Sequence, residues 1–298
     1  MSKLMSLVQR NTKVFFKDKG MFFTSLVTPL ILLLLFVTFL GNVYRDSFAM
    51  CTPKEIDVPD TIIEGFVGGW LFSSLLAVCC VTVAFCSNML MVQDKVSGAI
   101  TDLTVTPVKR STIAVGYFCA SSFATIIINF VAFAACLIYL YFTGWYMSAA
   151  DVMLTLLDVV LLTLFGISLS SCINFFLSTS GQGSAVGTIV SAGYGFLCGA
   201  YMPISSFSEG LQRVLSFLPG TYGTSLIRNH CMRGVFAEMA NIGFPAQVIE
   251  GIKDSIDCNL YFYGENVSVA TMYAVLCTAI LVFVAIYVAL NIIFGKKN

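Results

Sequence analysis

The run Phe66–Val92, FVGGWLFSSLLAVCCVTVAFCSNMLMV, holds 27 residues and no charged side chain. A helix needs about 20 apolar residues to cross the roughly 30 Å hydrocarbon layer of a bilayer. A barrel strand would be shorter and would alternate in polarity, which this run does not. It therefore reads as a membrane-spanning helix, since a backbone in lipid has to satisfy its own hydrogen bonds. Five further runs share its character: Met21–Leu40, Thr112–Phe142, Val152–Leu177, Ser184–Tyr201 and Val267–Phe294. The expectation is an all-α polytopic membrane protein with six transmembrane helices in one domain spanning residues 1–298. The first run is too long for a signal peptide and no A-x-A site follows it, so it is expected to be a retained helix.

Composition agrees. The 298 residues are 58% hydrophobic and only 11% charged, with a mean hydropathy of +0.89. A soluble domain carries about 25% charged residues. Zero net charge removes the bulk basicity that would point to nucleic acid. The eleven cysteines form no C-x-x-C or Cys/His pattern, so no metal site is expected.

Lysine and arginine orient the spans. Lys3, Arg10, Lys13, Lys17, Lys19, Lys95, Lys109, Arg110, Lys296 and Lys297 all fall on one side, against only Asp18, Asp94 and Asp102. The positive-inside rule puts that side, and with it both chain ends, in the cytoplasm of a cell-membrane protein. Within residues 1–20, Leu4, Val8 and Phe15 share a helical face opposite most of the bases, the pattern of an interfacial amphipathic helix. Residues 202–266 begin semi-apolar and turn polar near Arg228. Their apolar pieces are too short to span, and re-entrant half-helices followed by a polar segment are expected there. Trp70, Tyr139, Tyr141, Trp145, Tyr146 and Tyr201 read as an aromatic belt.

The most specific stretch is the cytoplasmic loop at 93–110, QDKVSGAITDLTVTPVKR. Ile100, Leu103 and Val96 fall on one helical face, with Thr101 and Asp102 on the other. A short helix of this kind suits docking into the groove of a soluble partner. Gly98–Arg110 resembles the G-T-L-x-x-L-x-x-T-P-x-x-R stretch of type 2 ABC transporter permeases, the multidrug/daunorubicin-like branch of exporter transmembrane subunits. In place of that family's threonine and leucine after the glycine stand Ala99 and Ile100, and Asp94-Lys95-Val96 replaces a Glu-Arg-Glu-like run. Phe196–Ile204 and Leu215–Tyr222 resemble a second pattern of the family, F-x-x-G-x-x-x-P followed by L-P-x-T-Y.

The resemblance implies a coupling helix that meets an ATPase through Asp94, Lys95, Gly98, Ile100, Asp102, Leu103 and Pro107. No G-x-x-x-x-G-K-[ST] occurs in the sequence, so the phosphate cradle has to belong to a separate P-loop ATPase subunit, which would hold the ATP and magnesium. This chain is then a permease and not an enzyme by itself. Six spans imply a homodimer or a heterodimer with a paralogous permease. The small-residue stripe Gly183, Gly187, Ser191, Gly195 and Gly199 allows close helix approach in lipid and is a candidate dimer seam.

Other residues stand alone. Asp158, about 10 Å into its span at 1.5 Å per residue, is either a snorkelling carboxylate or part of a substrate path. Asn129 and Asn174 suit interhelical hydrogen bonds. His230, the only histidine, falls in a polar stretch and reads as solvated. Cys51, Cys231 and Cys258 face outward, with Cys51–Cys258 the candidate disulfide. The leading function is ATP-driven export of a small hydrophobic or amphiphilic substrate, such as a drug, an antimicrobial peptide or a lipid-like molecule. Export of a lipid-linked polysaccharide, an ion-coupled carrier and a non-transporting membrane sensor are the alternatives.

Overall fold

A computed structural model describes residues 3–51 and 58–294, together with most side chains in that range. Lys296, Lys297, Glu55 and Asp57 lie outside the described residues. The chain is a helical bundle. It opens with α1 (Lys3–Lys17) and α2 (Lys19–Leu35), then passes through a π-helical turn (Phe36–Leu40) into α3 (Gly41–Cys51). There follow α4 (Asp60–Val96), α5 (Ala99–Val105), α6 (Arg110–Thr143), α7 (Ala149–Phe175) and α8 (Ser180–Leu197). Beyond a 3₁₀ turn (Ile204–Ser206) come α9 (Glu209–Leu215), α10 (Pro219–Asn241) and α11 (Ala246–Ser255). A two-residue hairpin, Tyr261–Phe262 with Glu265–Asn266, leads into α12 (Val269–Ile293).

Among the described residues, α4, α6, α7 and α12 are long and apolar enough to cross a bilayer. The two remaining expected spans differ in detail. α2 has only 17 residues of its own, but the helical path does not stop at Leu40; the π turn carries it on to Cys51. α8 has 18 residues, diluted by glycine and serine.

α4 is the central post. It is apolar all round, and 89% of its most apolar stretch is buried, against 11% for α12 at the periphery. A helix hydrophobic on every face belongs inside a bundle. Its 37 residues measure about 55 Å at 1.5 Å per residue, well over the roughly 30 Å of hydrocarbon. α4 therefore projects beyond the membrane and carries a cap at the end opposite α5. That end is called distal below, and the end with α1 and α5 proximal. α7 lies tightly along α4: a Cβ on Gly166 would fall 2.9 Å from the Cys80 carbonyl oxygen, so only glycine permits this approach.

α10 corrects the expectation of a polar segment beginning at Arg228. It is one unbroken helix with Pro219 in its first turn, where proline's missing N–H is harmless. Its start is deep, with Gly223 against Leu162 of α7. Its later turns rise to the surface, where Arg233 meets Asp151 in the first turn of α7. The half-helix α9 and the start of α10 occupy the stretch where re-entrant half-helices are expected. The distal cap is made of α3, the upper turns of α4 and α10, and α11. Tyr44 of α3 stacks on Trp70 with ring centroids 3.7 Å apart. Trp70 is thus a buried packing residue and not part of an aromatic belt, whereas Tyr139, Tyr141 and Trp145 are exposed.

Candidate functional site

At the proximal end the chain leaves α4 through Gly98, whose φ of 81° favours glycine. A Cβ there would meet nothing within 4 Å, so backbone conformation and not space selects the residue. α5 is seven residues long, far below the ~12–15 at which an isolated helix becomes marginally stable. Packing holds it instead: Ile100 and Leu103 turn onto the bundle core. Thr106 is extended before Pro107, as a residue preceding proline tends to be. The Pro107 carbonyl accepts a hydrogen bond from Lys3 Nζ at 2.8 Å. Val96 does not share the inward face; it is exposed, as are Thr101, Asp102 and Val105, the last at 83%. The side of α5 open to a partner is therefore the Thr101–Asp102–Val105 side.

Asp94 and Lys95 point inward. Asp94 is buried and clamped by Arg10 of α1, whose Nη1 and Nη2 both donate to it, the second at 3.1 Å. Tyr117 of α6 donates to the same carboxylate at 2.5 Å. The Asp94 hydrogen bond pushes the Arg10 guanidinium further up from its already high range, so the clamp is permanently charged. α1 buries Leu7, Asn11 and Phe15, a face turned by about 40° from the expected Leu4–Val8–Phe15 face, and Arg10 beside it reaches Asp94. Lys95 Nζ donates to the carbonyls of Asn174 and Leu177, each at 3.1 Å, and of Phe175. It thereby caps the C-terminal end of α7, where free carbonyls and the helix dipole favour a cation.

Within the bundle, Asn88 of α4 is a hub. Its Nδ2 donates to Ser170 and Ser171 of α7 at 3.0 and 2.8 Å, and its Oδ1 accepts from Ser121 of α6 at 3.2 Å. Asn129 donates to Thr163 at 2.8 Å, the interhelical bond its position suggests. Asn174 makes no side-chain hydrogen bond among the described residues; its backbone carbonyl carries the contact to Lys95. Interhelical hydrogen bonds in lipid average about 0.6 kcal/mol each, so this network fixes register more than it adds stability.

The small-residue stripe divides. Gly183 lies against Met89, and Gly195 takes the ring of Tyr201. Gly187 faces open space and Ser191 is half-buried. Gly199 lies past the end of α8 with φ of 74°, so it is a turn residue and not a continuation of the stripe.

At the distal end Asp158 does not snorkel to the surface. Asp158 is completely buried and accepts hydrogen bonds from His230 Nδ1 and from Tyr273 Oη, each at 2.5 Å. It joins α7, α10 and α12. His230 is correspondingly buried and not solvated. Arg228, likewise expected in a polar loop, has no exposed surface: Nη2 donates to the Gly199 carbonyl at 2.9 Å and Ser74 at 3.2 Å, and Nη1 to Ile256. Asp257, 3.7 Å from Arg228, accepts from the Ile204 N–H at 2.7 Å. Burial raises the Asp257 carboxyl above the usual range, opposed by the Arg228 charge. Cys231 is buried beside Thr155, and Cys258 carries a free, buried thiol that burial pushes up to about 12. The candidate pairing with Cys51 involves a side chain outside the described residues. Arg228, His230 and Tyr273 were missed because their partners are distant in sequence; the one available signal was three titratable groups on helical faces near an intramembrane aspartate.

The chain is thus a bundle of membrane-spanning helices with buried polar bonds between its spans and a short helix displayed at one end. The family profile of the ABC-2 type transporter matches residues 2–230, and the chain belongs to that family. The match runs from α1 into α10; α11, the hairpin and α12 lie beyond it. No curated protein matches the sequence. An ABC-2 membrane component works with an ATP-binding subunit and carries no ATP-binding cassette of its own.

Proposed function

We propose that this chain is the membrane subunit of an ATP-driven exporter that moves a hydrophobic or amphiphilic molecule out of the cell, of the drug, antimicrobial-peptide or lipid-like kind. The observation that carries the reading is α5: a seven-residue helix set off by Gly98, braced by Ile100 and Leu103, with Thr101, Asp102 and Val105 outermost. The basic residues of α1 and of the α5 loop favour a cytoplasmic proximal end, which sets α5 before a soluble ATPase in the plasma membrane. That subunit supplies the ATP and magnesium chemistry.

The geometry gives a thrust on α5 three rigid outlets. Ile100 and Leu103 pass it to the core, Asp94 passes it to α1 and α6 through Arg10 and Tyr117, and Lys95 passes it to the end of α7. The half-open face of α8, with Gly187 unobstructed and Ser184 and Thr188 exposed, supports pairing with a second permease, a homodimer being simplest. Asp102 and Val105 are the contact residues on the partner side; Asp94, Lys95, Gly98 and Pro107 position them.

Reconstitution with a candidate ATPase tests the proposal. Vanadate-sensitive ATP turnover accompanied by amphiphile release on the far side of the vesicle is expected. Asp102→Lys should abolish transport while the permease stays folded and in the membrane. Turnover that never responds to the permease would sink the reading.

A further inference from the structure

On the distal side a cavity of about 600 Å³ opens between α9, the start of α10, the end of α11 and the hairpin. Its wall is rich in hydrogen-bonding groups, and most of those that donate are already engaged. Gln212 Nε2 donates to the carbonyls of Ser205 and Phe207 at 3.1 and 2.7 Å. Thr221 donates to the Leu215 carbonyl at 3.1 Å and Tyr222 to that of Ser216 at 2.6 Å. Asn259 Nδ2 donates to Glu250 at 3.1 Å and to Asp254 Oδ1 at 2.8 Å, and Tyr261 Oη to the same Oδ1 at 3.1 Å. The acceptors on these side chains stay open. Among the described residues no donor reaches Gln212 Oε1, Asn259 Oδ1 or Asp254 Oδ2.

Charge and backbone point the same way. Of the lining carboxylates, Asp257 faces Arg228 at 3.7 Å and Glu209 faces Arg213 at 3.9 Å. Asp254 is bonded only by an amide and a phenol, and its neighbour Lys253 is taken up by Glu250 at 2.8 Å. The wall therefore keeps one uncompensated negative charge. Asp257 and Tyr263, with φ of 56° and 51°, are the non-glycine residues of positive φ among the described residues, and both line this cavity. Tyr263-Gly264 is the two-residue turn of the hairpin, a place that favours Asn-Gly. A bulky aromatic there is a true outlier, and strain of this kind gathers at functional sites. The Tyr263 ring rests edge-on against Phe217 and Phe262 and is 67% exposed, with Tyr261 beside it at 48%.

We propose that this cavity binds an organic primary ammonium. Its N–H groups donate to Asp254 Oδ2 and Asn259 Oδ1, with Gln212 Oε1 the acceptor on the α9 side, and the rings of Tyr261 and Tyr263 meet its charge at the mouth. An ammonium has three donors and no acceptor, which complements a wall whose donors are spent and whose acceptors are not. A neutral polyol would need donors in return. A quaternary ammonium would leave the acceptors unmet. The site does not require that the chain transport anything.

Binding of dansylcadaverine to the full chain in phosphatidylcholine nanodiscs, measured against empty nanodiscs, tests this. Saturable binding is expected, displaced by cadaverine or hexylamine. Neutral diacetylcadaverine, glucose and pentamethonium, the fully methylated analogue of cadaverine that keeps its charge and loses its N–H groups, should not displace it. Asp254→Asn keeps an acceptor for Asn259 and Tyr261 but removes the charge, and should weaken binding about tenfold or more. Tyr263→Asn supplies the turn's favoured pair, so thermal stability should hold or rise while binding weakens about threefold. A tyrosine with a structural role alone would give no loss of binding at retained stability. If phosphatidylethanolamine added to the nanodisc removes the probe, the natural occupant is a lipid headgroup; if only soluble amines displace it, the occupant is free, and both outcomes support the proposal. Equal displacement by diacetylcadaverine, glucose or pentamethonium, or affinity unaltered by either substitution, overturns it.

Discussion

Two buried carboxylates, Asp94 near the proximal end and Asp158 near the distal end, are held in the same way by different partners. Each accepts a hydrogen bond from a tyrosine at 2.5 Å, Tyr117 or Tyr273, and a second contact from a basic side chain. At Asp94 the base is Arg10, 35% exposed and charged at every accessible pH. At Asp158 it is His230, an imidazole only 7% exposed on α10. The proximal cluster is therefore a fixed fastening between the first helix and the bundle. The distal one ties three spans, α7, α10 and α12, to one another. A shared donor set does not give a shared role; the identity of the base decides.

Removing each carboxylate is the hardest test of that contrast. Asp158→Ala leaves the buried His230 and the half-buried Tyr273 without their acceptor and should cost about 3 kcal/mol, read as a lowered unfolding temperature in detergent. Asp94→Ala should cost less, about 1–2 kcal/mol, because the half-exposed Arg10 can turn to water. Its larger consequence is detachment of α1, read as faster backbone hydrogen exchange at Leu7–Phe15. If the proximal change proves the more destabilising, the fastening is more buried than its geometry indicates.

Tyr117→Phe and Tyr273→Phe sharpen the comparison. Each deletes one hydrogen bond to a carboxylate and should cost about 1 kcal/mol at both ends. A large asymmetry would mean that the tyrosines and not the bases distinguish the clusters. The smallest effect is expected on the distal surface. Glu250 is held below its ordinary value of 4.5, first by the Lys253 hydrogen bond and then by that of Asn259. A depressed carboxylate stabilises above its unfolded value, and that contribution fades as pH falls through the lowered one. Acidification below 4.5 should therefore loosen α11 slightly in hydrogen exchange, and Glu250→Gln should remove the response.

The sequence made the long spans legible because a charge-free run such as Phe66–Val92 admits few structures. It also exposed the α5 loop, whose glycine, proline and polar residues break the apolar pattern in a short space. The rest was hidden for physical reasons. α10 carries Arg228, His230 and Arg233 in a run that looks like a polar loop, yet the upper part of α4 and the flanking α7 and α12 cover it. Its charges are satisfied by residues as remote as Ser74, Asp158 and Ile256, and pairing across that distance leaves no local trace. The inward course of Asp94 and Lys95 was hidden similarly. Charge at a span's end reads as solvent-facing until Arg10 and the free carbonyls of α7 are seen beside it.

Cross-linking is the most direct test of the claim that α5 is where an ATPase engages. Single cysteines at Val105, exposed by 83%, and at Leu103, packed on the core, would be introduced into a permease reconstituted with its ATPase. A short bifunctional reagent should join the subunits from Val105→Cys and not from Leu103→Cys, with yield that varies on ATP addition. Cross-linking from Leu103→Cys alone, or from neither position while the complex remains associated, would contradict the account.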